Sequence, residues 1–509
     1  MISIYEPNIK KYTCSAIDAI NSGWISNHGE YIKKSTDKLK EILNCKYAIL
    51  MSNGTCATHC LFLSLKFKYP TIKHIYVPNN AYVAAWNSVL CIYNDLIVMN
   101  MDNFTWNINT DEEYIKSLSY NSAVLIVHNL GNIVNVPRLK KIRPDLIFIE
   151  DNCEGLFGKY NGVYSGTGEH TLCSSISFYG NKNITTGEGG AFLTNDNSVY
   201  EHIKKVYSQG MSDIQYVHNV HAYNYRMTNI QAAFLYDQLN DIDNILNIKK
   251  NLFNNYEKLL EPLKNKISLF KKEENTECSN WIFALRILNN TKTINETTNF
   301  FKNQNVDIRP FFYPINKHEH LKNMSFSDII PELLNKEIIM IPSSPLITFE
   351  NQKKVVEIIY KFIFFNEHIN VIEINIDNKH LLDNFIENTN NCDFNGILDN
   401  QYFKYYNNRN SDVIKNHVTT NIFVHGNKYI GYTHIDYEID YWFGIYLDKD
   451  YRNKKLGNLF LNYTLLKTDI KQIKLSVDMN NEIAINLYKK NNFKIFETVN
   501  NNHFMTKNL

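Results

Sequence analysis

Over roughly the first 240 residues, short apolar runs alternate with stretches of helical periodicity. That alternation is the pattern of a parallel β-sheet wrapped by helices. The runs at 47–51, 75–77, 123–127, 146–149, 174–178 and 191–194 read as strands, and 56–67, 230–239 and 245–260 as helices. Residues near 250–360 read as a smaller α+β unit, with strand-like pieces at 281–288 and 309–313. A boundary falls around 362–372, after a helical stretch at 352–362 and before the apolar run 371–374. Beyond it the rhythm changes to a hairpin turning at His425-Gly426-Asn427 and a strand at 442–447. A basic loop, a helix, a strand at 473–477 and another helix follow, which makes a second, independent domain.

At 509 residues the chain exceeds one ordinary domain and corresponds to roughly three folding units. Apolar residues make up 44% and charged residues 21%, enough for a sizeable buried core. Lys+Arg 53 against Asp+Glu 52 leaves a formal charge of +1, so net charge gives no reason to expect nucleic-acid or membrane-surface binding. The nine cysteines are odd in number and form no CxxC pair, which argues against a disulfide framework or a zinc ribbon. Cys56 and Cys60, four apart, read as neighbours on one helix face. No basic region followed by an apolar core opens the chain, and no apolar run approaches membrane-spanning length. A cytoplasmic protein is expected.

Lys182 carries the most chemical information. It lies in Phe178-Tyr179-Gly180-Asn181-Lys182-Asn183-Ile184-Thr185-Thr186-Gly187-Glu188-Gly189-Gly190, between an apolar strand-like segment and a glycine-rich turn. Glycines let the backbone fold tightly against a bulky group, and a desolvated amine there can act as a nucleophile. Standing alone, such a lysine reads as a solvated residue on a hairpin. Three other segments supply what a lysine-bound pyridoxal phosphate needs. The strand ending at Met51-Ser52 runs into Asn53-Gly54-Thr55-Cys56-Ala57 and a helix, presenting backbone N–H groups and the Thr55 hydroxyl to a phosphate. Ser177 adds a further donor. Asp151 ends an apolar strand, where a carboxylate can keep a pyridine nitrogen protonated, and Tyr82 can stack on the ring. Taken singly, each has a plain explanation as turn, cap or packing.

Together, and in this order, the segments resemble the DegT/StrS-type sugar aminotransferases. The resemblance includes Ser22-Gly23-Trp24-Ile25-Ser26, Ser52-Asn53-Gly54-Thr55, Glu150-Asp151, the Lys182 run and His221-Ala222-Tyr223-Asn224-Tyr225-Arg226-Met227-Thr228-Asn229-Ile230-Gln231-Ala232-Ala233, and it spans roughly residues 1–360. The Lys182 run and Arg309-Pro310-Phe311-Phe312-Tyr313-Pro314 look most like the viosamine and perosamine synthase branch, which aminates 4-keto-6-deoxy sugar nucleotides.

By that resemblance Lys182 would hold the cofactor covalently and move a proton between cofactor and sugar carbon, and Asp151 would pair with the pyridine nitrogen. Gly54, Thr55, the Cys56 amide and Ser177 would hold the phosphate, Tyr82 would stack, and Arg309 would meet the substrate. Asn224 would reach the phosphate of a neighbouring subunit, so a homodimer is implied. Glu154 stands where many relatives have glutamine near the cofactor's ring oxygen, and Cys56 replaces a usual small residue. L-glutamate would donate the amino group, and the histidine of a related dehydratase branch is replaced here by Lys182, which argues for transamination.

A second constellation lies near the end. Gly444-Ile445-Tyr446-Leu447-Asp448-Lys449-Asp450-Tyr451-Arg452-Asn453-Lys454-Lys455-Leu456-Gly457 reads as a strand, a basic turn and a helix start whose N–H groups can bind a pyrophosphate. Asn481-Glu482-Ile483-Ala484-Ile485-Asn486-Leu487-Tyr488 reads as a helix. Either alone is an amphipathic helix with solvated lysines. In this order they resemble the GNAT acyltransferases. By that resemblance the turn with Arg452, Lys455 and Gly457 would cradle the pyrophosphate of acetyl-CoA or another acyl-CoA, Asn481 would contact the pantetheine arm, and Tyr488 would protonate the departing thiolate. Lys455 and Asn492 stand where that family has glycine, which weakens CoA binding if either position needs positive φ. No general base can be placed; Asp436 and Glu438 are candidates.

The implied fold is α/β: an aspartate-aminotransferase-like (fold type I) domain at 1–245, a small α+β subdomain at 246–365 and a GNAT α/β domain at 370–509. The implied function is bifunctional, with amination at carbon 4 followed by N-acylation of the amino sugar. Alternatives left open are amination at carbon 3, an aminotransferase with a non-catalytic C-terminal binding module, and a regulatory protein that kept the fold.

Overall fold

The computed structural model describes residues 1–214, 216–323, 328–390, 414, 417–437 and 439–509, with side chains of 386–390 excepted. Contacts divide the chain into two compact units, residues 1–257 with 267–349, and residues 258–266 with 350–509.

The first unit is built on a seven-stranded sheet. Its early strands are β1 (Tyr47–Met51), β2 (His74–Pro78), β3 (Ile97–Met99), β4 (Ser122–Val127) and β5 (Ile147–Asp151). A ribbon of β6 (Lys159–Tyr160) and β7 (Val163–Tyr164) intervenes before β8 (Ser174–Ser177) and β9 (Gly190–Thr194) complete the sheet, in the order β1-β9-β8-β5-β4-β2-β3. The β4 and β5 interiors are buried on both faces, as the continuous apolar runs require.

The sheet is parallel except at β9, which is antiparallel to both β8 and β1. Residues 178–189, which join β8 to β9, contain no helix to carry the chain across the sheet, and it returns as a hairpin. That hairpin loop carries Lys182. Helix Gly54–Lys68 packs across the sheet with Ala57, Cys60, Leu61, Phe62 and Leu65 in one core, joined by Trp86 and Phe192. A second core on Tyr31, Leu39, Ile176, Phe178 and Leu235 brings helices Glu30–Leu43 and Asn229–Asn240 against the sheet.

The rest of the first unit forms β10 (Ile267–Ser268), β11 (Thr276–Glu277), β12 (Ala284–Ile287), β13 (Arg309–Pro310) and β14 (Ile338–Met340). Four of these make the sheet β10-β12-β14-β13, while β11 pairs with β6. The strands are shorter than the sequence pattern suggests. β12 starts only at Ala284, because Ser279 and Trp281 are engaged with the Lys182 loop, described below.

The second unit carries β15 (Ile369–Glu373), β16 (His417–His425), β17 (Lys428–Tyr437), β18 (Tyr441–Leu447), β19 (Gln472–Asp478), β20 (Lys494–Val499) and β21 (Asn502–Asn508). They form one sheet ordered β15-β16-β17-β18-β19-β21-β20. Helix Phe349–Asn366, read from sequence as the end of the preceding unit, places Phe364 against Phe423, Phe460 and Tyr463. Among the described residues no helix is long and apolar enough to cross a membrane.

Candidate active sites

Strands β1, β8, β5, β4 and β2 run in one direction, so their C-terminal ends share one edge of the first sheet. Open α/β sheets bind ligands along that edge. Every first-unit residue singled out at a strand end follows one of these: Asn53 to Cys56 follow β1, Tyr82 follows β2, Asp151 and Glu154 close β5, and Ser177 and Lys182 follow β8.

The β1 turn opens helix Gly54–Lys68, where Asn53 is the N-cap and its side chain accepts the Cys56 N–H at 2.9 Å. The Cys56 amide, expected to help hold a phosphate, bonds the Asn53 side chain in this structure. The first-turn amides left to an incoming anion are those of Gly54 and Thr55. Ser177 faces them: a Cβ on Gly54 would lie 2.8 Å from the Ser177 Cβ and 3.0 Å from its hydroxyl. Glycine at 54 therefore keeps open a cradle that any side chain would fill.

Asp151 is 8% exposed. Its Oδ1 accepts the Cys153 N–H at 3.2 Å and the Ser175 hydroxyl at 3.5 Å, bonds in which Oδ2 has no share. Glu154 is buried, and its Oε2 accepts the Leu130 N–H at 2.8 Å. Leu130 sits at φ 55°, a left-handed conformation that costs a non-glycine residue about 1 kcal/mol and aims that N–H inward. Burial pushes the Glu154 carboxyl up to about 7, against the downward pull of the Lys182 charge and the Leu130 N–H.

The Lys182 loop is held from both sides. Tyr5 donates its hydroxyl to the Lys182 carbonyl at 2.8 Å, and Trp281 Nε1 donates to the Asn181 carbonyl at 2.8 Å. Asn183 Nδ2 donates to the Ser279 carbonyl at 2.8 Å, while the Ser279 hydroxyl donates to the Glu154 carbonyl at 2.6 Å. The Lys182 ammonium lies over the Trp281 ring, 3.7 Å from its centre. Behind Trp281, the fully buried Lys249 donates to the Trp281 and Ser343 carbonyls, and burial lowers its pKa to about 7. Sequence reasoning missed Tyr5, Lys249, Ser279 and Trp281. Trp281 is 100 residues from Asn181 and has no local motif; Lys249 reads as a solvated helix lysine until the fold buries it.

Other expected residues lie further out. Tyr82 is 62% exposed, its ring 6.5 Å from that of Phe312. Asn224 is exposed and accepts the Arg226 Nε–H at 2.9 Å. Arg309 is exposed and ion-paired with Asp307.

In the second unit, β18 and β19 run parallel and meet at Trp442 and Lys474. Beyond β18, the turn through Arg452 enters helix Leu456–Leu466, with Arg452 Nε donating to the Leu447 carbonyl at 3.0 Å. Asn453, Lys455 and Asn492 all have positive φ, 62°, 63° and 65°. The two departures from glycine thus fall where the backbone does need the left-handed region. Gly457 approaches Leu487, to which a Cβ would come within 3.3 Å. Asn481 caps helix Glu482–Lys490 by accepting the Ala484 N–H at 3.1 Å, and Tyr488 is buried in the core, which raises its pKa. Asp436 is buried on β17 beside His434; Glu438 lies outside the described residues.

The first unit is thus a fold of the aminotransferase class with a lysine, a carboxylate and an anion cradle on one sheet edge. The chain belongs to the DegT/DnrJ/EryC1/StrS aminotransferase family, whose profile matches residues 8–360, and an acetyltransferase (GNAT) domain profile matches residues 418–495. GDP-perosamine synthase of Escherichia coli O157:H7 is 31% identical over 369 residues, 71% of this chain and 98% of that protein. GDP-perosamine synthase of Vibrio cholerae is 30% identical over 333 residues, 63% of this chain and 88% of that one. Among solved structures, a GDP-4-keto-6-deoxymannose-3-dehydratase mutant with bound GDP-perosamine aligns with a TM-score of 0.63 at 21% identity, covering 70% of this chain and 100% of that chain. A DegT/DnrJ/EryC1/StrS aminotransferase from Brucella abortus aligns with a TM-score of 0.61 at 19% identity, covering 69% and 95%. The protein is therefore an enzyme of the sugar-aminotransferase family that also carries a GNAT domain. Its cofactor is pyridoxal phosphate, and an acyl-CoA is the cosubstrate of the second domain.

Proposed function

We propose that the chain is a bifunctional nucleotide-sugar enzyme. Its first unit moves the amino group of L-glutamate to carbon 4 of a GDP-linked 4-keto-6-deoxyhexose, and its second acylates the new amine from acyl-CoA. The observation that carries the first step is the convergence of Lys182, Asp151 and the Gly54–Ser177 cradle on one sheet edge. When bound, pyridoxal phosphate supplies the carbonyl that takes up the amino group and an electron-withdrawing ring. Lys182 holds it and moves the proton at the sugar carbon. Asp151 keeps the pyridine nitrogen charged, its Oδ1 steadied by Cys153 and Ser175. Gly54, Thr55 and Ser177 bind phosphate, Tyr82 covers the ring, Glu154 stands at the ring oxygen and Arg309 meets the nucleotide sugar.

The GDP-linked acceptor is favoured by the perosamine synthases and by the GDP-4-keto-6-deoxy-D-mannose 3-dehydratase of Escherichia coli O55:H7, 25% identical over 358 residues. A homodimer completes each site with Asn224 of the second copy. The exposed Ile17, Ile20, Trp24 and Ile25 support a face covered by that copy. The work divides as 1–245 for the cofactor, 246–365 for the smaller aminotransferase domain and 370–509 for acyl transfer, with Arg452, Lys455 and Gly457 on the pyrophosphate, Asn481 near pantetheine and Tyr488 as proton donor. The cytoplasm, where nucleotide sugars and acyl-CoA meet, is the place of action.

Incubation with GDP-4-keto-6-deoxymannose and glutamate, followed by acetyl-CoA, tests this by mass spectrometry of the sugar nucleotide. An amino sugar with stoichiometric 2-oxoglutarate, then an acetylated product, is expected. Amino sugar formed by Lys182→Ala would sink the first assignment. The positive φ of Lys455 and Asn492, where that family has glycine, favours a second reading in which CoA binding is weakened and the C-terminal domain is a non-catalytic module; no heat on calorimetric titration with acetyl-CoA would decide for it.

A further inference from the structure

The sheet of the second unit contains a bulge that assembles a side-chain cluster. β16 and β17 pair His417 with Asp436, then slip, so that Thr419 faces Ile435 and Thr420 faces His434. In a regular strand, residues three apart point to opposite faces. The extra residue at the bulge brings His417 and Thr420 to the same face, where His417 Nδ1 lies 2.7 Å from the Thr420 hydroxyl. His434 and Asp436, two apart on β17, share that face by ordinary pleating. The His417 and His434 rings lie 5.0 Å apart, and His434 Nε2 is 3.8 Å from Asp436 Oδ2. One ligand atom from each of the three lies within 4.8 Å of the others, and His434 and Asp436 are 8% and 7% exposed.

We propose that His417, His434 and Asp436 bind a divalent transition-metal ion of the zinc class. The donor set decides the class. Two imidazoles and one carboxylate suit zinc and its neighbours, whereas calcium and magnesium require oxygen-dominated sites. Thr420 engages Nδ1 of His417 and so presents Nε2, the outer-shell arrangement that fixes a ligating histidine. Ligands about 2.1 Å from a tetrahedral ion lie about 3.4 Å apart, so the widest gap closes by about 1.4 Å, within reach of side-chain rotation. Three protein ligands leave a position for water or a substrate group. The site lies beside β18, since His434 faces Gly444 and Asp436 faces Trp442, where β18 meets β19.

Full-length protein stripped with chelator and dialysed against zinc is expected to take up about one ion per chain at this site by mass spectrometry of the metal, and cobalt in its place to give visible ligand-field absorption. His434→Ala and Asp436→Asn are each expected to weaken uptake about 100-fold or more, and Thr420→Val about tenfold. Near-UV circular dichroism checks that the variants are folded, and the cobalt spectrum of the unaltered protein reads the site without them. Substoichiometric uptake by the unaltered protein, or equal uptake by both ligand variants, overturns the proposal. Loss of acyl transfer in His434→Ala while the unaltered protein binds no metal also overturns it, and makes the trio an acid–base cluster instead.

Discussion

The ammonium of Lys182 rests 3.7 Å from the centre of the Trp281 ring, while the indole N–H of Trp281 bonds the carbonyl of the preceding residue, Asn181. One tryptophan therefore holds both the reactive side chain and the loop that bears it.

Removing that hold should slow turnover without expelling the cofactor. A cation–π contact is worth about 1 kcal/mol and a net hydrogen bond about 1 kcal/mol. Trp281→Leu is expected to lower kcat about tenfold, with the absorbance of bound cofactor retained. Trp281→Phe, which keeps a ring, should lose only part of this. Equal rates for all three proteins would show the contact to be incidental.

The Gly54–Ser177 approach makes a sharper case. A Cβ at 54 would press on Ser177 at 2.8 Å and point into the cradle. Overpacking of this size costs about 1–3 kcal/mol. Gly54→Ala is expected to weaken pyridoxal phosphate binding by roughly tenfold or more, read by fluorescence titration of apoprotein, and to lower apoprotein stability in denaturant melts by about 1–3 kcal/mol.

Glu154 sets a pH dependence of stability. Its carboxyl, raised from 4.5 to about 7, is more readily accommodated by the fold in its neutral form. Stability from this residue is full below about pH 4.5 and is lost as pH rises through about 7. At 1.4 kcal/mol per unit the loss approaches about 3 kcal/mol at pH 8. Denaturant melts of apoprotein should show Glu154→Gln close to the unaltered protein at pH 4.5 and more stable at pH 8. No divergence between those pH values would mean that Glu154 stays ionised in the fold.

In the second unit, Lys455 at φ 63° carries a left-handed strain of about 1 kcal/mol that glycine would not. Lys455→Gly should bind acetyl-CoA at least as tightly by calorimetry and raise the melting point of this unit. Asn492→Gly should gain less, because asparagine tolerates the left-handed region. Weaker binding by Lys455→Gly would assign the lysine charge a direct role.

Much of this was legible before folding. The strand expected at 47–51 coincides with β1, and the runs at 123–127 and 191–194 are each extended by a single residue in β4 and β9. Periodicity is a property of neighbouring residues, so long apolar runs declare themselves. Less legible was the direction of β9, which depends on pairing with two other strands. The occupied Cys56 amide was also hidden, because the choice of Asn53 as cap is made only when the helix starts at Gly54.

By itself the sequence determined the alternation of strands and helices and the candidate residues at strand ends, which follow from local pattern, and its motifs carried the resemblances that implied the two folds. Tertiary structure alone decided which distant side chains meet. It set Trp281 against Lys182, buried Lys249 behind Trp281, raised Glu154 by enclosing it, and brought His417 beside Asp436 through a one-residue slip. Such meetings depend on register and burial, which arise only when separate segments pack, and no local pattern records them.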